Sequence, residues 1–291
     1  MNQIKKSELI LNADNSIYHL KIKTEDLAEL VILVGDQDRV PVVSSFFDSV
    51  EIKKQNREFV THTGFYNSKK ITVLSTGIGT DNIDIVVNEL DALVNIDFEK
   101  RCPKKEHKSL SFVRIGTAGS LQTDVPVDIP VASAIGCGFD GLLNYYKKRD
   151  EVCNLELEKK FISDVNFDKR FATPYFVSCS QELLNRIAFD MKCGITVSAP
   201  GFYGPQGREL RLQLSDENLN QKISAFNFNG QKILNFEMEC SAIYGLSALL
   251  GHKALTVCNI VANRTTGDFS KDYKPHLLNT IKIVLDRLTG S

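Results

Sequence analysis

Leu30-Val31-Ile32-Leu33-Val34-Gly35-Asp36-Gln37-Asp38-Arg39 is the stretch on which the fold turns. Its first half is a short, wholly apolar run rich in β-branched side chains, the pattern of a buried strand. Glycine and acidic residues then make a tight turn, and residues 40–47 read as the helix behind it. Strand, turn and helix in that order are the repeating unit of an α/β fold.

The unit recurs downstream. Residues 57–65 and 70–75 read as strands joined by Tyr66-Asn67-Ser68-Lys69, which predicts a hairpin. Gly77-Ile78-Gly79 follows, then Thr80 or Asp81 as N-cap of a helix carrying Ile83, Val86, Val87, Leu90 and Val94. Further strands are expected at 111–115, ending at Gly116-Thr117-Ala118-Gly119, and at 127–132, 194–198 and 254–261. Ser180 caps a helix expected to run to Met191, and a last amphipathic helix over 275–288 stops before Gly290. Residues 1–17 read as a polar leader and 145–167 as polar surface. Residues 95–108, with Lys100, Arg101, Lys104, Lys105 and Lys108, read as a basic loop insertion. No Pro/Gly/Ser-rich linker divides the chain. The expectation is one domain over 1–291: a three-layer α/β/α arrangement around a central mixed, twisted sheet, its site along the carboxyl edge of the strands.

Composition narrows the function. A formal net charge of −1 on 291 residues gives no electrostatic case for nucleic acid or an anionic membrane as partner. No apolar run approaches bilayer length, and residues 1–7 lack the apolar core of a signal peptide. Seven cysteines are scattered, with no C-x-x-C spacing, and five histidines form no H-x-x-x-H pair. They read as free thiols in a reducing compartment, and the cytoplasm is the expected location.

Asn235-Phe236-Glu237-Met238-Glu239-Cys240 places two carboxylates where an apolar run meets an alanine-containing helix. In extended backbone Glu237 and Glu239 point to one side, and a helix starting near Met238 favours negative charge there. A carboxylate so fixed can accept from two adjacent hydroxyls, as on a ribose. Taken alone, the pair reads first as an ordinary helix start with solvated glutamates. Gly77-Ile78-Gly79 lacks the third glycine of a dinucleotide fingerprint, since position 82 is Asn82. No G-x-S-x-G, H-E-x-x-H or Walker sequence is present. What recurs is arginine beside a small residue at a strand end: Gly35 with Arg39, and Arg114 with Gly116-Thr117. A close glycine amide, a guanidinium fork and a hydroxyl suit an oxyanion such as phosphate.

In order along the chain, Gly35-Asp36-Gln37-Asp38-Arg39-Val40, Ser75-Thr76-Gly77-Ile78-Gly79, Arg114-Ile115-Gly116-Thr117-Ala118-Gly119 and Phe236-Glu237-Met238-Glu239 resemble the nucleoside phosphorylase-I family. Phe202-Tyr203-Gly204-Pro205-Gln206-Gly207-Arg208 and Val261-Ala262-Asn263-Arg264-Thr265 are similar to its uridine phosphorylase branch.

The resemblance implies phosphate-dependent cleavage of the N-glycosidic bond of uridine, with deoxyuridine and thymidine as further candidates, in pyrimidine salvage. It implies phosphate binding by Gly35, Arg39, Arg57, Arg114 and Thr117. It implies ribose binding by His19, Met238 and Glu239, and base binding by Gly119, Phe202, Gln206, Arg208, Glu237 and Arg264. Arg39, Arg114, Arg208 and Glu239 are the residues on which catalysis is expected to rest. His19 and Arg57 match residues that reach a neighbouring subunit, which implies a homodimer at minimum, with a hexamer built as a trimer of dimers as the larger option. No organic cofactor is implied; inorganic phosphate is a co-substrate, and Glu58, Ile78 and Asn82 stand where the family places a monovalent-cation site, here for potassium.

Three alternatives stay open: a purine or broad-specificity phosphorylase, a nucleosidase of the same fold, and an inactive nucleoside-binding protein. Purine enzymes of the family use an aspartate where this chain has Ala262-Asn263. Nucleosidases generally lack the set formed by Arg39, Arg57 and Arg114. The chain departs from the family pattern in the order Gly204-Pro205, in Asn82 where serine is common, and in the insertion at 95–108.

Overall fold

The computed structural model describes residues 3–290; Met1 and Asn2, the head of the expected leader, and Ser291 lie outside the described residues. The opening stretch folds as the sequence predicts, with β1 at Leu30–Val34 and α1 at Arg39–Ser44. α1 stops short of the expected residue 47 because the chain is already turning into β2 (Ser49–Asn56), with Asp48 N donating to Phe65 O at 2.7 Å. β2 escapes a reading by apolar pattern: its residues alternate only between exposed and half-buried, as on a sheet edge. β3 (Phe59–Tyr66) and β4 (Lys69–Ser75) form the expected hairpin, whose turn holds Asn67 and Ser68 at φ 49° and 61°. α2 (Thr80–Asn95) is capped by Gly79, not by Thr80 or Asp81, because the chain enters the helix at φ 100°, which glycine takes without strain.

The basic segment is not a bare loop. It carries a small hairpin of β5 (Ile96–Asp97) and β6 (Cys102–Pro103), and Arg101 donates to Ile4 O at 2.8 Å and Leu9 O at 2.6 Å. β7 (Ser111–Ser120) runs twice as far as the expected 111–115, because its glycines remain paired in the sheet. β8 (Pro130–Gly138) begins at its proline, where no ladder donor is needed. The stretch expected as polar surface folds into α3 (Arg149–Val152) and α4 (Leu155–Val165), which buries Leu157, Phe161 and Val165 at helical spacing. β9 (Tyr175–Ser178) leads to α5 (Gln181–Ile187), where the expected cap Ser180 accepts from Leu183 N at 3.4 Å. β10 (Lys192–Ser198) follows, then α6 (Leu219–Ala225), β11 (Asn227–Phe228) and β12 (Gln231–Glu237). α7 (Cys240–Leu250) ends on Gly251, β13 spans Lys253–Asn263, and α8 (Lys274–Thr289) ends on Gly290.

One mixed sheet holds the molecule, in the order β11-β12-β10-β8-β13-β7-β1-β4-β3-β2, with β9 beside β8. β12 also pairs with β7, so β7, β13, β8, β10 and β12 close into a ring at one end of the sheet. β1 is parallel to both β4 and β7, and β7 to β13, so Gly35, Thr76 and the end of β7 emerge at one edge. Alternation along β1 sends Val31 and Leu33 into a core with α2 and α7, and Ile32 and Val34 into one with α1, α5 and α8. A third cluster, rich in phenylalanine, packs α4 and α6 against β10 and β12. Among the described residues no helix is long and apolar enough to cross a membrane.

Candidate active site

A cavity of about 690 Å³ opens at that edge. Its lining brings together Gly35, Arg39, Arg114, Thr117, Gly119, Phe202, Gln206, Arg208, Glu237, Met238 and Glu239, as well as Glu58, Ile78 and Asn82. Segments more than 200 residues apart in sequence meet here because β1, β4 and β7 run parallel to a common edge, and β12, antiparallel to β7, pairs its Phe236 with Gly119 near the end of β7.

Arg114 is the hub. It is buried, its guanidinium pairs with Glu239, and its Nη1 lies 3.2 Å from Glu237 Oε2. Burial works against its charge, but Glu239 and then Glu237 outweigh that, and its pKa rises above the ordinary arginine value. Arg39 donates to Ile115 O at 3.3 Å; burial and the neighbouring Arg114 push its pKa down. Two guanidiniums so close are relieved by an anion between them.

The carboxylates divide their work. Glu237 accepts from Ser198 Oγ at 2.5 Å and from the amides of Glu239 and Cys240, each at 2.9 Å, so it satisfies the amides at the entry to α7. Burial drives the Glu237 pKa up despite Arg114. Glu239 instead accepts from Gly79 N at 2.7 Å and faces the cavity through Arg114. α7 therefore starts at Cys240, later than the expected Met238, with both acids at its N-terminus.

At the far end, Arg208 donates to Gln206 Oε1 at 2.5 Å and to Phe202 O at 2.7 Å, and stacks 3.8 Å from the Phe202 ring centroid. Arg264 does not line the cavity; it donates to Gln206 O and, at 3.0 Å, to Gly207 O, holding the turn that carries Gln206 and Arg208. Burial, then the charge of Arg208, lowers its pKa to about 10. Asn263 is buried and fully used: its amide donates to Gln122 O and Val125 O at 2.9 and 3.0 Å and accepts from Thr265 N at 2.9 Å.

His19 and Arg57 also stay out of their own chain's cavity. His19 Nδ1 lies 2.6 Å from Glu89, Asn56 donates to His19 O at 2.8 Å, and Arg57 is exposed over the Tyr18 ring. The two form one surface patch. Asn82 turns its Nδ2 toward Gly77, and Glu58 and Ile78 lie with it on the cavity wall. Asp36, Gln37 and Phe269 line the cavity without having been singled out in the sequence. Phe269 is placed by a bridge to Ala262, a contact that leaves no spacing signal.

The profile of the phosphorylase superfamily matches residues 29–288. The chain belongs to the phosphorylase superfamily. Among curated members, it is 29% identical over 260 residues to a uridine phosphorylase of Thermococcus kodakarensis, covering 87% of this chain and 80% of that one. It is 26% identical over 254 residues to a DeoD-type purine nucleoside phosphorylase of Listeria monocytogenes, covering 86% and 88%. A solved Trypanosoma brucei nucleoside phosphorylase described as having uridine phosphorylase activity superposes with a TM-score of 0.87 at 29% identity, over 97% of this chain and 100% of that one. The superfamily and its fold are thus those that the short motifs imply.

Proposed function

We propose that the chain is a uridine phosphorylase acting in pyrimidine salvage. The observation that carries the reading is a single cavity joining two guanidiniums, Arg39 and Arg114, to the carboxylate of Glu239 and to the Gln206–Arg208 pair. In this reading, phosphate sits with Gly35, Arg39, Arg114 and Thr117. Glu239 accepts from the ribose 2′- and 3′-hydroxyls beside Met238. Gln206 and Arg208 hold the uracil, with Phe202 and Gly119 beside it, and Arg264 fixes the turn that presents them.

The C1′–N1 bond breaks with its electron pair leaving on the base, and a phosphate oxygen forms the new bond to C1′. Positive charge building on the sugar ring faces the phosphate, as in other glycosyl cleavages. Negative charge arriving on uracil meets the Arg208 guanidinium and the Gln206 amide, donors fixed before the reaction begins. No covalent enzyme intermediate is needed.

The purine reading needs an acid at the position of Asn263. That amide is bound on both sides by backbone and faces no free space in which to protonate a base. The surface patch of half-buried His19 and exposed Arg57 supports a homodimer in which each subunit completes the other's site, with Glu58 and Ile78 completing a potassium shell across the same contact. Seven unpaired thiols support a cytoplasmic location.

A panel of uridine, deoxyuridine, thymidine and inosine with phosphate tests the assignment. Uridine is expected to be cleaved with a kcat/KM at least about tenfold above inosine, the order of discrimination a mismatched pocket gives. Preference for inosine would contradict it.

A further inference from the structure

The guanidinium of Arg114 is held by a third group besides the two glutamates. The register of β7 and β13 explains how. Arg114 and Gly116 lie two apart on β7 and share a face, and Cys258 on β13 is paired with Gly116. Because Gly116 has no side chain, Arg114 folds over it; a Cβ placed there would lie 2.2 Å from Nη1 and 2.7 Å from Cζ. So placed, Nη1 donates to Cys258 Sγ at 3.2 Å. The Nε of Arg114 has no partner among the described residues, so orientation rests on the two Nη groups.

We infer that Cys258 is a positioning residue for the Arg114 guanidinium that receives phosphate, an inference that rests on the phosphorolytic reading. Its fully buried sulfur is a bulky, weak acceptor, which stops Nη1 from swinging without adding a further anion to compete with phosphate. Burial pushes the thiol up to about 11, so it stays neutral beside the arginine at ordinary pH. An aspartate here would trap Arg114; an alanine would leave Nη1 to Glu237 alone, at 3.2 Å.

Cys258→Ala and Cys258→Ser test this, by calorimetric titration of the nucleoside-free protein with inorganic phosphate and by the KM for each substrate. Cys258→Ala is expected to weaken phosphate binding and raise the phosphate KM about fivefold, the equivalent of one net hydrogen bond, with the uridine KM within about twofold. Cys258→Ser, which keeps an acceptor, is expected to recover most of the loss. Unchanged phosphate affinity in Cys258→Ala, or equal rises in both KM values with no recovery in Cys258→Ser, would overturn the proposal. The titration needs no turnover, so a wild type that binds phosphate but leaves uridine intact contradicts the functional reading alone, and the variants still decide the role of Cys258. A wild type that does not bind phosphate would overturn both.

Discussion

Glu237 and Glu239 are two residues apart, line the same cavity and touch the same arginine, yet their oxygens are committed differently. Glu237 spends its oxygens on Ser198 and on the first amides of α7, which is the ordinary capping use of a helix-start acid. Glu239 is anchored by one amide and by Arg114, a group that itself receives a ligand in our account. Glu239→Ala is therefore expected to raise the uridine KM by about tenfold or more, since a charged hydrogen bond contributes ~1.5–3 kcal/mol, while Arg39 and Gln206 stay in place. Steady-state kinetics check this, and an unchanged uridine KM would remove Glu239 from the ribose site. The sequence alone leaves the two acids equivalent. What separates them is Ser198 and Gly79, which lie 39 and 160 residues away in the chain.

Elements with one strong apolar face are legible; those stabilised by a few buried anchors under a charged surface are not. β1 reads directly from five apolar residues, whereas α4 hides its buried stripe among Glu156, Glu158, Lys159 and Lys160. Phe161 is the anchor that the charges conceal: it is fully buried and packs against the rings of Phe139, Phe167, Phe176 and Phe226. Phe161→Ala is expected to cost about 3–5 kcal/mol in urea unfolding, whereas a solvated surface residue would cost under about 0.5 kcal/mol.

On the other face, Arg287 of α8 donates to Ile187 O at the end of α5, at 2.7 Å, and to Asp190 just beyond it, at 2.6 and 2.8 Å. Those bonds hold the Asp190 carboxyl below its ordinary 3.8. The lowered pKa means that the folded state releases the proton more readily than the unfolded chain does. The contribution is present above the ordinary value and lost as pH falls through the lowered one. Asp190→Asn is thus expected to lower Tm slightly at pH 7, an effect of at most about 0.5 kcal/mol for so exposed a pair, and the gap to wild type should close in acid. A gap that widens in acid would contradict the assignment.

At the scale of the whole molecule, the strand ring of β7, β13, β8, β10 and β12 and the parallel run beside it bring the residues proposed for phosphate, sugar and base to one edge. The recurrence of glycine with arginine at strand ends made that edge readable in the sequence. The detailed links were not: the Arg114–Cys258 contact and the tether from Arg101 to residues 4 and 9 depend on register and packing between distant segments. His19 and Arg57 stand apart from their own cavity, and the dimer proposal turns on them. Co-expressed Arg57→Ala and Glu239→Ala chains, each impaired alone, are expected to regain activity in mixed dimers, because one site of each pair is then intact; no recovery would place the whole site in one chain. The central claim is that phosphate is the nucleophile. It is tested most directly by measuring uracil release from uridine with and without inorganic phosphate, with the sugar product identified. The account predicts release only with phosphate and ribose 1-phosphate in equal amount; equal rates without phosphate, yielding free ribose, would contradict it.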